Sequence, residues 1–251
     1  MSFQTLLYQK AGPVAWITLN RPERLNALNV QMRDDLYEVV GAVRDDPEVL
    51  VAVFRGAGGR AFCAGADLTE FGTAPSPVVA RQVRWERDLW GALLSLWKPL
   101  IAAVHGHCLG SGLELSLCCD LRIASDDAHF GLPEAGLGII PAAGGSQTLS
   151  RTIGRARALQ LILTGETIDA PEAHRIGLVT SVVPRAQLYP EADAMALAIA
   201  AKDPVVVQAA KQAVVRGLDL PLAEGLALEA QYVALTLPRR QPRPGAGMQN
   251  A

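Results

Sequence analysis

Leu100-Ile101-Ala102-Ala103-Val104-His105-Gly106-His107-Cys108-Leu109-Gly110-Ser111-Gly112-Leu113-Glu114-Leu115-Ser116-Leu117 opens as an unbroken apolar run and closes as a helical pattern. Such a run, bounded by a turn signal, reads as a strand buried on both faces. The small residues behind it let the backbone pack closely and start a helix with amide donors left over. A buried strand feeding a helix in this way is the unit of an α/β layered fold.

Working outward, the same strand signal recurs at residues 14–19, 49–54 and 121–124, each followed by Gly, Asp, Asn or Arg. Helical periodicity fills residues 30–43, with Leu36, Val39, Val40 and Val43 on one face, and a single helix is predicted over about 78–96. The loops of such a fold gather at one edge of the sheet and carry its chemistry. Past Val183-Pro184 the composition changes to helix formers, interrupted at Asp203-Pro204 and Leu220-Pro221. The expected organisation is therefore a core over residues 1–185 and three amphipathic helices over 186–238 forming an assembly surface. Residues 239–251, polar and rich in Pro and Gly, read as a disordered tail.

With 251 residues, half of them hydrophobic, the chain can fill a substantial core. A net charge of −2 argues against a nucleic-acid surface, which needs clustered Lys and Arg. The apolar runs are too short for a membrane span, and residues 1–5 lead into a strand-like stretch without a signal-peptide pattern. Cys63, Cys108, Cys118 and Cys119 form no CxxC pair and read as buried, reduced thiols, so the expected location is cytoplasmic.

Three segments offer chemistry. Gly56-Ala57-Gly58-Gly59-Arg60-Ala61-Phe62-Cys63-Ala64-Gly65-Ala66-Asp67-Leu68 is glycine-dense but lacks the ending of a phosphate-binding P-loop and the dinucleotide fingerprint. It reads as a tight turn with Asp67-x-x-Glu70 as a capping box, leaving a backbone N–H near Ala66 free. In the opening stretch, Glu114 follows Ser111 by three residues, which fits a second capping box. Four leucines surround Glu114 and no cation lies nearby in sequence, so a buried functional carboxyl fits as well. In Phe130-Gly131-Leu132-Pro133-Glu134-Ala135-Gly136-Leu137-Gly138-Ile139-Ile140-Pro141, Glu134 taken alone reads as an acid favoured in a first helical turn. His105-x-His107 has no third ligand of evident spacing, so no metal is expected. Ser111 lacks the frame of a hydrolase nucleophile, and Trp85, Trp90 and Trp97 read as a packing stripe.

Joined in order, these pieces resemble the enoyl-CoA hydratase/isomerase (crotonase) family. The resemblance is carried by Asn20-Arg21-Pro22-Glu23-Arg24-Leu25-Asn26-Ala27-Leu28, Ala61-Phe62-Cys63-Ala64-Gly65-Ala66-Asp67-Leu68 and Gly110-Ser111-Gly112-Leu113-Glu114. It continues through Phe130-Gly131-Leu132-Pro133-Glu134, Ile140-Pro141-Ala142-Ala143-Gly144-Gly145-Ser146, Leu163-Thr164-Gly165-Glu166 and Gly177-Leu178-Val179. It implies a crotonase-like spiral of ββα units, a C-terminal helical trimerisation region and a homotrimer or a hexamer of two trimers. It also implies an acyl-CoA thioester substrate, with coenzyme A entering as part of that substrate and no separate cofactor.

By the same resemblance, Arg24, Leu25, Ala27, Ala64, Ala66, Asp67, Leu68 and Thr69 bind the coenzyme. The amides of Ala66 and Ser111 form an oxyanion hole, where the family often has Gly in place of Ser111. Glutamates at both positions 114 and 134 match the hydratases of the family, with Glu114 as base and Glu134 as acid. The resemblance also implies a further acidic helix after Pro238 with a Lys/Arg-rich end beside the adenine, and Arg239 to Gly247 does not match it. Weaker coenzyme binding and assembly are the expectation from that difference. The leading function is thus a 2-enoyl-CoA hydratase. The alternatives are a double-bond isomerase, a specialised dehydratase or decarboxylase of the same fold, and a catalytically weak assembly subunit.

Overall fold

A computed structural model describes residues 3–237. The chain opens with β1 (Leu6–Ala11), β2 (Val14–Leu19) and α1 (Val30–Asp45), then β3 (Val51–Gly56) and β4 (Ala61–Cys63). Helices α2 (Pro77–Glu86) and α3 (Leu89–Leu94) lead to β5 (Leu100–Val104), β6 (His107–Leu109) and α4 (Ser111–Leu117). Next come β7 (Leu121–Ser125), β8 (His129–Gly131), α5 (Gly145–Ile153), α6 (Arg155–Thr164), β9 (Thr167–Asp169) and α7 (Ala170–Arg175). The described chain ends with β10 (Ser181–Val183), α8 (Leu188–Ala200), α9 (Pro204–Gly217) and α10 (Leu222–Thr236).

Successive ββα turns send one strand to each of two sheets. β3, β5 and β7 lie side by side in a six-stranded sheet, ordered β1-β2-β3-β5-β7-β10. Their followers β4, β6 and β8 lie side by side in a four-stranded sheet closed by β9. The pairings are parallel except β1 with β2 and β8 with β9. This is the spiral of the expected fold class.

The inner strands β2, β3 and β5 of the large sheet are buried on both faces, which is why they are largely apolar runs rather than alternating ones. Ala15, Ile17, Leu19, Phe54, Ala102 and Val104 face a core shared with Met32, Leu36, Val39 and Val43 of α1. Val14, Trp16, Val51, Val53, Ile101 and Ile123 face the other way, onto Leu188, Ala192 and Ala196 of α8. That packing corrects the domain boundary expected at residue 186. The chain divides into compact units at 201/202, because α8 uses small side chains to lie close on the sheet. Only α9 and α10 form the separate helical unit within the described residues. The tail at 239–251 lies outside them.

Three other expectations need correction. The helix predicted over 78–96 is two, broken at Arg87-Asp88, where the Asp88 side chain accepts from the Gly91 amide at 3.0 Å and starts α3. The strand expected at 49–54 begins and ends two residues later. The tryptophans form no packing stripe. Trp85 is 70% exposed beneath the Arg81 guanidinium and Trp97 is 43% exposed, while Trp90 packs against the core.

A buried Arg122 on β7 anchors α4. Its Nε donates to Leu178 O at 2.6 Å, and its Nη1 to Cys119 O and Ser116 O at 2.6 and 3.1 Å. The cation thus satisfies carbonyls at the helix C-terminus, the end that favours positive charge.

The placement of α8 gives a direct test. Ala192→Asp buries an unpaired carboxylate against the sheet and is expected to lower unfolding free energy by about 3 kcal/mol or more. Leu197→Asp, on the exposed side of the same helix, is expected to cost roughly 0.5 kcal/mol. Urea unfolding of both variants checks it, and equal effects would remove α8 from the core.

Candidate active site

Glu114 is the fourth residue of α4 and is 1% exposed. The capping-box reading of Ser111 with Glu114 is overturned, because the helix cap is Gly110, at φ +51°, and Ser111 is the first helical residue. The Glu114 amide donates to Gly110 O at 3.0 Å. Its carboxylate reaches the other way. Oε1 accepts from the amides of Ala143 and Gly145 at 2.8 and 2.9 Å. Two donors on one oxygen fix the carboxyl and leave Oε2 as the oxygen able to take a proton.

Gly145 is what permits this approach. A β-carbon there would lie 2.8 Å from Glu114 Oε1 and 3.1 Å from the Pro141 side chain. The run Ala142-Ala143-Gly144-Gly145 therefore serves Glu114 directly, a role its sequence did not reveal. The legible signal was the glycine pair just before a helix.

Glu134 lies in a 3-10 turn, Pro133–Leu137, and is 7% exposed. Its Oε2 is buried with no hydrogen-bond partner among the described residues. Burial raises its pKa, its own backbone amide lowers it, and the charge of Glu114 raises it further. A β-carbon on Gly110 would lie 3.1 Å from Glu134 Oε1, so this acid rests against the turn that starts α4. Two carboxyls of different character therefore lie close enough for the charge of one to act on the other. One is saturated by amides on one oxygen, and the other is inclined to hold a proton.

The amides of Ala66 and Ser111 lie beside them. The turns preceding them touch, since a β-carbon on Gly110 would lie 3.6 Å from Gly65 Cα. Neither amide meets an acceptor among the described residues. Two free N–H groups beside two buried carboxyls can stabilise charge developing on a carbonyl oxygen while protons move at neighbouring carbons.

The proposed coenzyme-binding residues form one two-layered wall. Leu25 and Asn26 both adopt left-handed backbone, at φ 53° and 55°. Asn26, fully buried, accepts from Arg21 N at 3.0 Å and donates to Ala57 O and Ala61 O, both at 2.9 Å. Ala64 N donates to Leu25 O at 3.0 Å and Leu28 N to Gly65 O at 2.8 Å. Arg24, Leu68 and Thr69 are exposed, and Leu25, Ala27, Ala64 and Ala66 are half-buried.

The Asp67 carboxylate is engaged by Thr69 and by Arg21 Nη2 at 3.0 Å, which hold it below the ordinary carboxylate range. Asp67 caps its short 3-10 helix as expected, but the capping-box partner is corrected. Glu70 Oε2 accepts from the Val30 amide at 2.7 Å instead, tying down the start of α1. Sequence reasoning assigned no role to Asn26 or Arg21. An Asn tolerates left-handed backbone, which is the signal that was available.

His105 and His107 part company. His105 is fully buried, with Nδ1 3.5 Å from the Tyr189 hydroxyl, and burial and Arg185 lower its pKa to about 4. His107 is exposed beside His129. The Cys63 thiol is pushed up to about 12 by burial, so it is unreactive.

The chain is similar to known proteins over nearly its whole length. Residues 9–249 match the family described as Enoyl-CoA hydratase/isomerase. A Short-chain-enoyl-CoA hydratase of Clostridium acetobutylicum is 42% identical, over 92% of this chain and 88% of that protein. A Crotonyl-CoA hydratase of Syntrophomonas wolfei is 37% identical, over 98% and 94%. The crystal structure of an enoyl-CoA hydratase from Bacillus anthracis superposes with TM-score 0.89 at 38% identity, covering 96% of this chain and 93% of that one.

The raised pKa of Glu134 fixes the sign of a pH effect. Below its ordinary value of 4.5 the carboxyl is neutral in both folded and unfolded chains. As pH rises, the unfolded chain ionises first, so the stability of the native protein falls until pH passes the folded value. Glu134→Gln has no such loss. Its stability advantage is expected to grow as pH rises past the ordinary value of 4.5 and to level off once pH passes the folded value, as read by urea unfolding at each pH. A difference that does not change with pH would refute the shift.

Proposed function

The chain belongs to the enoyl-CoA hydratase/isomerase family, and on that footing we propose that it is a hydratase adding water across 2-enoyl-CoA thioesters through Glu114 and Glu134. The observation that carries the reading is the pair of buried carboxyls in unlike surroundings beside two free amides. An isomerase that shuttles one proton needs one acid, whereas adding water needs a proton removed and a proton delivered.

The thioester carbonyl accepts from the Ala66 and Ser111 amides. Water lies between the glutamates, and Glu114 Oε2 takes one of its protons as the oxygen bonds to C3. The C2–C3 π electrons move towards the carbonyl, where the two amides stabilise the enolate oxygen by about 3–4 kcal/mol per donor in comparable sites. Glu134 delivers its proton to C2. Proton exchange through solvent then returns Glu114 to carboxylate and Glu134 to acid. Delivery from one side of a flat enoyl group makes the addition syn. The two carboxyls share one water. The cycle is complete with coenzyme A as part of the substrate.

The wall of Arg24, Leu25, Ala27, Ala64, Ala66, Leu68 and Thr69 holds the coenzyme's pantetheine and nucleotide in this reading. The assembly is a homotrimer or a hexamer of two trimers, supported by the exposed Leu222, Leu226, Val233 and Leu235 of α10. Among the described residues no helix is long and apolar enough to cross a membrane. Four buried free thiols and an acyl-CoA substrate suit the cytoplasm.

Hydration of crotonyl-CoA, followed by loss of the conjugated chromophore, tests the function. Glu114→Gln and Glu134→Gln are each expected to lower kcat about 100-fold or more, the scale of a positioned acid or base. In D2O, product analysis is expected to find deuterium on C2 on the same face as the new hydroxyl. Inert wild type that still binds the thioester would move the function to an isomerase, another lyase or an assembly subunit. Gly145→Ala, whose β-carbon displaces Glu114, is expected to lower kcat by about tenfold or more. Unchanged kcat would separate the two amides from catalysis.

A further inference from the structure

The segment carrying Ala66 is held from behind by residues 21–28. Leu28 N donates to Gly65 O at 2.8 Å, and Asp67 N donates to Leu28 O at 2.9 Å, so Leu28 and Ala66 form a parallel bridge. In that pattern one residue bonds the peptides on either side of its partner. The partner's own N–H and C=O must then point the opposite way. The direction of the Ala66 amide is therefore set by how firmly residues 21–28 are locked to residues 65–67.

One charged pair supplies the lock. Arg21 Nη1 donates to Ala27 O at 2.7 Å and Arg21 Nη2 to Asp67 Oδ2 at 3.0 Å. The guanidinium fork thus spans the residue just before Leu28 and the residue just after Ala66, and both side chains are mostly buried. Asp67 Oδ1 accepts from the Thr69 hydroxyl and amide at 2.7 and 3.2 Å, which keeps Oδ2 turned to Arg21. Asn26 fixes the start of the same loop through Arg21 N, Ala57 O and Ala61 O. The hydrogen bonds of the two side chains among the described residues all run into these loops.

We propose that Arg21 and Asp67 are a positioning pair for the oxyanion hole, fixing the direction of the Ala66 amide without touching the thioester. The inference rests on the reading of Ala66 as an oxyanion donor. It assigns Asp67 to alignment rather than to the coenzyme.

The test uses the full chain, with Arg21→Met, Arg21→Lys and Asp67→Asn. Two readouts are taken: kcat and KM for crotonyl-CoA, and the infrared carbonyl stretch of bound butyryl-CoA, a saturated thioester that is not hydrated. Binding to wild type is expected to lower the carbonyl frequency. Arg21→Met is expected to lose about tenfold or more in kcat, part of what a whole donor is worth, and to shrink the carbonyl shift. Its KM is expected to stay within about threefold, as an interaction made mainly in the transition state requires. Arg21→Lys, which keeps the charge but not the fork, is expected to recover part of both losses.

A fall in kcat with the carbonyl shift intact overturns the proposal, as does a rise in KM alone. If Arg21→Met does not fold, Arg21→Lys and Asp67→Asn decide through the same readouts. A wild-type band that does not move on binding overturns the oxyanion reading itself. A wild-type shift kept by every variant overturns only the pair.

Discussion

Everything at the site depends on Glu114 Oε1 meeting two amides, those of Ala143 and Gly145. These contacts tie α4 to the start of α5, two helices from successive turns of the spiral. A carboxylate buried among leucines needs such donors, because burial without them is costly. Once they are in place the carboxyl has one defined rotamer and one free oxygen. Gly110, Glu134 and the Ser111 amide then fall within reach of the same spot, since all of them lie around the first turn of α4.

The second support comes from the far side of the site. Residues 21–28 and 64–70 are sewn together by main-chain bonds, by Asn26 and by Arg21, and Glu70 joins them to α1. Meanwhile Arg122 holds the other end of α4 through carbonyl contacts. The free amides are thus mounted on segments that are hydrogen-bonded on every side but one. Preorganisation of this kind lets donors stabilise charge without moving when it forms.

Much of this was legible in the sequence, and the reasons differ by element. β2 and β5 were read residue for residue, because strands buried on both faces leave uninterrupted apolar runs. β4, β6, β8 and β9 have three residues each, too few to show a period, so the second sheet was invisible except by resemblance. The three late helices were readable from proline breaks, but periodicity cannot say what a helix packs against, and α8 went to the wrong unit. For Glu114 the sequence spacing fits cap and function equally. Only the position of Ala143 and Gly145 decides it. Glu134 looked ordinary alone, since its raised pKa comes from burial and from a neighbour 20 residues earlier in the chain.

The segment between β4 and β5 is tied down chiefly at its ends, by the Asp67 cap and by the buried Leu89 and Leu93 of α3. Between them Phe71, Val78 and Trp85 stand exposed. None of the groups that move protons or polarise the carbonyl lies between residues 71 and 88. Insertions, deletions and side-chain drift there leave the reacting centre intact. A lineage built on this scaffold can therefore alter that excursion independently of its chemistry, with the length of one loop as an evolutionary variable and the turns around α4 as an inherited constant.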